Sequence, residues 1–117
     1  MPTIRDVVQA LARRDGVEAV VVAGRDGLTI DAHTKDGFDA DGLAALVPGV
    51  ADACRELGQA ASRGVFATGV VEYANGLVLV TELTAEALLA MFFKPKTNIG
   101  GLLHELHRHR TAIAELL

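Results

Sequence analysis

Two β-rich runs, each doubled back around a tight turn, do most to limit what this chain can fold into. In VEAVVVAGRDGLTIDAH, residues 17–33, an apolar run meets Asp26-Gly27 and a second run follows. In GVFATGVVEYANGLVLVTEL, residues 64–83, the turn pair is Asn75-Gly76. Asp-Gly and Asn-Gly supply the positive φ of a two-residue hairpin, so both runs predict antiparallel strand pairs. Strands are expected over 17–24 and 27–33. Val20, Val21 and Val22 are apolar in succession, which predicts an inner strand covered on both faces.

Helical periodicity fills the gaps between these hairpins. TIRDVVQALARRDG places Ile4, Val7, Val8 and Leu11 on one face, with Thr3 as cap, Asp6 completing a short capping box, and Gly16 as terminator. After the polar loop KDGFDADG, Asp39 or Asp41 is positioned to cap a second helix, DGLAALVPGVADACRELGQ. Its larger apolar residues, Leu43, Leu46, Val47, Val50, Cys54 and Leu57, form one stripe. Its other surface carries Ala44, Ala45, Ala51, Ala53, Ala60 and Ala61, where a solvated helix would show Lys and Glu, so a packing partner is expected there. Pro48 predicts a bend near residues 44–49, or a helix that begins only there. AEALLAMFF is read as a fifth strand. NIGGLLHELHRHRTAIAELL is read as a last helix burying Ile99, Leu103, Leu106, Ile113 and Leu117. The order is αββαβββα: one α+β domain over residues 1–117, a five-stranded antiparallel sheet with helices on both faces.

Composition narrows function mainly by exclusion. A net charge of −4 and the absence of tryptophan argue against nucleic acid, which asks for a basic stripe and stacking aromatics. No 18-residue apolar run is present, so no membrane span is expected. The opening MPTIRDVVQ lacks a basic segment followed by an apolar one, and a lone Cys54 allows no internal disulfide; a cytoplasmic location is expected.

No motif in the chain carries chemistry. In MFFKPKTNIGG, residues 91–101, the glycines follow the lysines, whereas a phosphate loop needs them ahead of its lysine. The segment reads as a strand-to-helix turn, stopped by Pro95 and capped by Thr97 or Asn98. His104 and His107 share a helix face, but a zinc site needs three or four ligands; the histidines read as a solvated face. Ser62 lacks a nucleophile elbow, Cys54 reads as a buried, inert thiol, and no residues converge on a small-molecule pocket. An enzyme, a cofactor and a metal are therefore not expected.

Taken in order, GVEAVVVAGRDGLTIDA, LAALVPGVADACRELGQ and LVLVTELTAEALLAMFFKPKTNIGGLLHEL resemble the first hairpin, the long second helix and the last two strands and helix of the roadblock / dynein light chain family. The turn residues Lys96, Asn98 and Gly100 resemble that family's lysine-x-asparagine-x-glycine turn. The resemblance is to prokaryotic, MglB-like members. It implies a roadblock sandwich of the longin/profilin-like kind, and a homodimer formed through strand 3 and helix 2. The interface would involve Ala51, Cys54, Gly58, Val65, Phe66, Thr68 and Val70. It further implies a small Ras-like GTPase as partner, met by Asp52, Arg55, Glu56 and Gln59 on helix 2. A scaffold without effect on GTP hydrolysis is the alternative. The expected mechanism is stabilisation of the GTPase's switch segments by that helix-2 face, in preference to an arginine finger in trans, for which Arg55 and Arg63 are the candidates.

Overall fold

A computed structural model describes residues 2–117. The elements are α1 (Ile4–Ala12), β1 (Val17–Gly24), β2 (Thr29–Thr34), α2 (Ala40–Ala60), β3 (Thr68–Tyr73), β4 (Gly76–Thr84), β5 (Ala87–Phe93) and α3 (Gly100–Ala114). All five strands form one antiparallel sheet in the order β2-β1-β5-β4-β3. The sequence-derived order and fold class hold.

Local chemistry accounts for most element ends. Thr3 Oγ1 accepts from the Asp6 N–H at 3.2 Å and Asp6 Oδ2 accepts from the Thr3 N–H at 2.9 Å, a closed capping box. The helix then ends at Ala12, four residues before Gly16. Gly16, at φ +83°, instead turns the chain into β1, where a Cβ would strike the Thr97 side chain. β2 begins at Thr29, two residues later than expected, because the Asp26 carboxylate accepts from the Leu28 N–H at 3.0 Å and extends the turn. Asp39 occupies the α2 cap position without a side-chain bond, and Asp41 accepts instead from the Thr29 hydroxyl at 2.6 Å. α2 runs unbroken through Pro48, so its start lies at Ala40 and not at the proline.

The two faces of the sheet are covered unequally. On one, α1 and α3 enclose Val8, Leu11, Val20, Val22, Leu79, Leu89, Met91, Leu102 and Leu106. On the other, α2 alone covers Val21, Ala23, Val80, Leu88 and Ala90. Here the sequence reading of α2 is corrected. Its sheet-facing residues are Ala44, Val47 and Ala51, while Leu46, Val50 and Leu57 face outward at 69%, 40% and 72% exposure. Alanine lets the helix backbone lie close to a sheet crowded with valine and leucine. In α3 the buried pair is Leu102 and Leu106, and Leu117 is exposed.

The inward placement of Ala51 has a direct consequence. With the site fully enclosed, Ala51→Leu should cost about 1–3 kcal/mol by overpacking, read as a lower urea midpoint at fixed protein concentration. An unchanged midpoint would contradict the orientation of α2.

Candidate functional site

The free surface concentrates where α2 stops covering the sheet. β3 is an edge strand and pairs only with β4, in register from Thr68↔Thr81 to Tyr73↔Gly76. Cross-strand partners share a face. Val71, opposite Val78, and Tyr73, opposite Gly76, therefore lie on the α2 side; Val70, opposite the fully buried Leu79, lies on the α1/α3 side. Val70, Val71 and Tyr73 are 43%, 38% and 59% exposed. The strand carries one charge, Glu72, and no proline, so nothing guards its unpaired backbone.

Beside this edge runs the outer face of α2. Leu46, Val50, Ala53, Leu57 and Ala60 recur at 4-3-4-3 spacing, the seam pattern of one helix laid along another. Cys54, on the flank nearest β3, is half-buried rather than buried; its Sγ lies 3.5 Å from where a Cβ on Gly69 would sit.

The opposite flank is polar and tied to the fold. Arg25 donates through Nε to the Ala85 carbonyl at 2.6 Å and pairs with Asp52 at 3.2 Å and Glu82 at 3.4 Å. Arg55 donates to the same Glu82 and lies 3.8 Å from Asp52. The Glu82 hydrogen bond pushes the Arg55 guanidinium above its ordinary value; burial opposes this, and the attraction of Glu82 and Asp52 adds to it. The four side chains link the first hairpin, α2 and β4. Arg25 and Glu82 were not singled out from the sequence, because three separate elements bring them together.

The expected site residues are thus distributed unequally. Glu56 and Gln59 are exposed on α2, whereas Asp52 and Arg55 belong to the ion-pair network. Among the expected dimer residues, Ala51 is buried against the sheet and has no access to a second subunit. A Cβ on Gly58 would lie 3.6 Å from the Gly64 carbonyl oxygen, and Phe66 packs against the α2-side core. Thr68 donates to the Thr81 hydroxyl at 2.9 Å. Val65 and Val70 are open to solvent. The residues missed are Leu46, Val50, Leu57, Val71 and Tyr73; the 4-3-4-3 spacing in α2 was the available signal. Arg63 is exposed and makes no ion pair among the described residues.

At the far end, Lys96 adopts φ +65°, Thr97 donates to the Lys94 carbonyl at 2.7 Å, and Asn98 Oδ1 accepts from the Gly100 N–H at 3.0 Å. The position before α3 is Ile99, which has no side-chain cap, so Asn98 provides the bond one residue earlier. The Lys94 N–H donates to the Gly16 carbonyl at 2.8 Å, docking the turn on the α1–β1 connection. His104, His107 and His109 are exposed, and among the described residues no three His, Cys, Asp or Glu side chains cluster to hold a metal. No described helix is long and apolar enough to cross a membrane.

A three-helix, five-stranded sandwich with an open edge beside an apolar helix seam defines an interaction module. The chain belongs to the Roadblock/LC7 domain family, which it matches over residues 3–93. No curated protein matches it in sequence. Its backbone is similar to that of MglB from Myxococcus xanthus, at 18% identity over 97% of this chain and 93% of that one, with a TM-score of 0.84. It is also similar to an MglB with a tetrameric arrangement, at 21% identity over 97% and 86%, TM-score 0.81. A Roadblock/LC7 domain from Streptomyces avermitilis matches at 24% identity over 95% and 91%, TM-score 0.78. These likenesses carry the fold; the family makes the chain a roadblock-type regulatory or interaction module.

The contrast between the two flanks of α2 is testable. Glu82→Gln, which removes a carboxylate shared by two arginines, should lower the urea midpoint measurably more than Glu56→Gln, whose carboxylate is free. Equal shifts would mean that the network contributes nothing to the fold.

Proposed function

We propose that this chain is a homodimeric regulator or scaffold that binds a small Ras-like GTPase. The observation that carries the reading is the apolar seam Leu46, Val50, Ala53 and Leu57 lying beside the unprotected edge of β3. In a two-fold dimer, β3 pairs with its own copy and continues the sheet. The two α2 helices then lie along one another, and each seam covers the other. The arrangement removes both liabilities at once, an exposed apolar stripe and an open edge.

The backbone decides which groups of β3 are free to pair. The Glu82 N–H donates to the Ala67 carbonyl, and Tyr73 and Gly76 flank a two-residue turn. Ala67, Gly69, Val71 and Tyr73 therefore point their polar groups toward β4, and Thr68, Val70 and Glu72 point theirs outward. A two-fold axis at Val70 sets Thr68 opposite Glu72 and Val70 opposite itself, so every outward group finds a partner.

Support for the GTPase comes from the family resemblance to MglB-like members and from the MglB structures similar in backbone. The partner would meet the solvent-facing polar residues Glu56 and Gln59, with Asp52 at their margin. Arg55 is engaged by Glu82, which favours a role in ordering α2 over one as a finger in trans. The competing reading is a module that only binds within a larger complex. It is separated by GTP turnover: a regulator changes the hydrolysis rate of a GTP-loaded Ras-like GTPase from the source organism, and a scaffold binds without changing it. Glu56→Lys should weaken that binding; unchanged binding would exclude this flank.

Light scattering after size exclusion should give twice the 12.3 kDa chain mass for the wild type. Val70→Lys, which sets two like charges face to face across the axis, should give a monomer. A monomeric wild type at about 10 µM, well above the Kd of stable dimers, would contradict the shared sheet.

A further inference from the structure

The sheet has two edges, β2 and β3, each six residues long. β3 is unguarded, and β2 is the one other edge in the sheet that it could meet. Pairing β3 of one copy with β2 of the next would be a head-to-tail contact, which continues from copy to copy unless its rotation happens to close. A second open edge would therefore invite growth of the sheet without limit.

β2 is not open. The Lys35 N–H donates to the Glu18 carbonyl, so by antiparallel alternation His33 and Asp31 also turn their backbone groups toward β1, and Thr34 and Ala32 turn theirs outward. An incoming strand would bond to those outward groups. The Ala32 N–H is already taken, because it donates to Asp31 Oδ1 at 2.9 Å. Beyond it the register skips Ile30, between the Asp31–Val22 and Thr29–Ala23 pairs, a bulge of the kind that twists an edge away from a partner.

The Asp31 carboxylate is held in this place from the α1 side. Asp31 lies opposite Val22 of the α1/α3-side core, its side chain is 10% exposed, and Arg5 of α1 donates to the same Oδ1 at 3.4 Å. Oδ2 is buried without a hydrogen-bond partner, the one such side-chain atom among the described residues. A carboxylate oxygen shut away unpaired costs stability. A β-branched apolar residue would suit a strand position packed against a helix better. What the carboxylate does in return is occupy the edge.

We propose that Asp31 is a stop for strand addition: it closes the β2 edge to a second copy of this chain, so that β2 cannot prolong the sheet. The excluded occupant is a second copy because the chain itself carries the bare strand that would fit, β3, of equal length. The inference stands on β2 and does not need the β3 pairing of the preceding section.

Amide exchange of the full chain, each rate taken relative to its intrinsic value, reads the contact directly. Ala32 and Thr34 both face outward with no strand beyond them, yet Ala32 should exchange about tenfold more slowly, as a hydrogen-bonded amide does. Asp31→Val should abolish that difference without lowering the urea midpoint. Its mass by light scattering should rise with concentration beyond that of the wild type, reversibly, with Thr34 newly protected in the larger species. Asp31→Asn, which keeps an acceptor oxygen beside the Ala32 N–H, should hold the wild-type mass. Equal exchange of Ala32 and Thr34 in the wild type would overturn the proposal. So would an Asp31→Val chain that stays at the wild-type mass, larger species that leave Thr34 unprotected, or growth of Asp31→Asn to match Asp31→Val. A monomeric wild type would contradict the β3 pairing and leave the stop standing.

Discussion

Five strands spaced about 4.8 Å apart make a sheet about twice as wide as one helix, which is about 10–12 Å across. This chain supplies three helices for two faces. α1 and α3 share one face and enclose it; α2 is alone on the other. That shortfall shapes everything else. It leaves β3 without a helical cover and leaves Val78 and Phe92 half-buried. A fourth helix would close the fold, and in the proposed dimer a second subunit would provide one.

The sequence of α2 follows from that geometry. A helix with one buried face normally has a single apolar stripe. α2 has two: a narrow one of alanine and valine against the sheet, and a broader one of leucine, valine and alanine facing out. The inner stripe is small because the helix lies close to a sheet whose strands are apolar on both sides. The outer stripe is large, as the proposed pairing with another helix would require. The Arg25–Asp52–Arg55–Glu82 network holds α2 to the first hairpin and to β4, fixing the angle at which the seam is presented.

Much of this was legible in the residues. Asp26-Gly27 and Asn75-Gly76 marked the hairpins, the runs of β-branched residues marked β1 and β4, and Thr3 with Asp6 marked the start of α1, because each signal is local. The orientation of α2 was not. Size is the ordinary guide to which stripe is buried, and here it pointed the wrong way, since Leu46 and Leu57 face outward while Ala44 and Ala51 line the core. Leu117 was misplaced because α3 ends at Ala114: Leu102 and Leu106 set its buried face, Ile113 packs against the same cluster in the last turn, and Leu117 lies beyond it. Contacts that join distant segments, such as Arg25 with Glu82, leave no trace in spacing along the chain.

The central claim is that β3 is paired on its outer side. Amide hydrogen exchange of Thr68, Val70 and Glu72, followed by NMR at high and low protein concentration, reads that pairing directly, since only hydrogen-bonded amides are protected. The account predicts strong protection of these three at high concentration, lost on dilution, while the amides of Gly69 and Val71 stay protected by β4 throughout. Fast exchange of Thr68, Val70 and Glu72 at every concentration would leave β3 a bare edge and contradict the account.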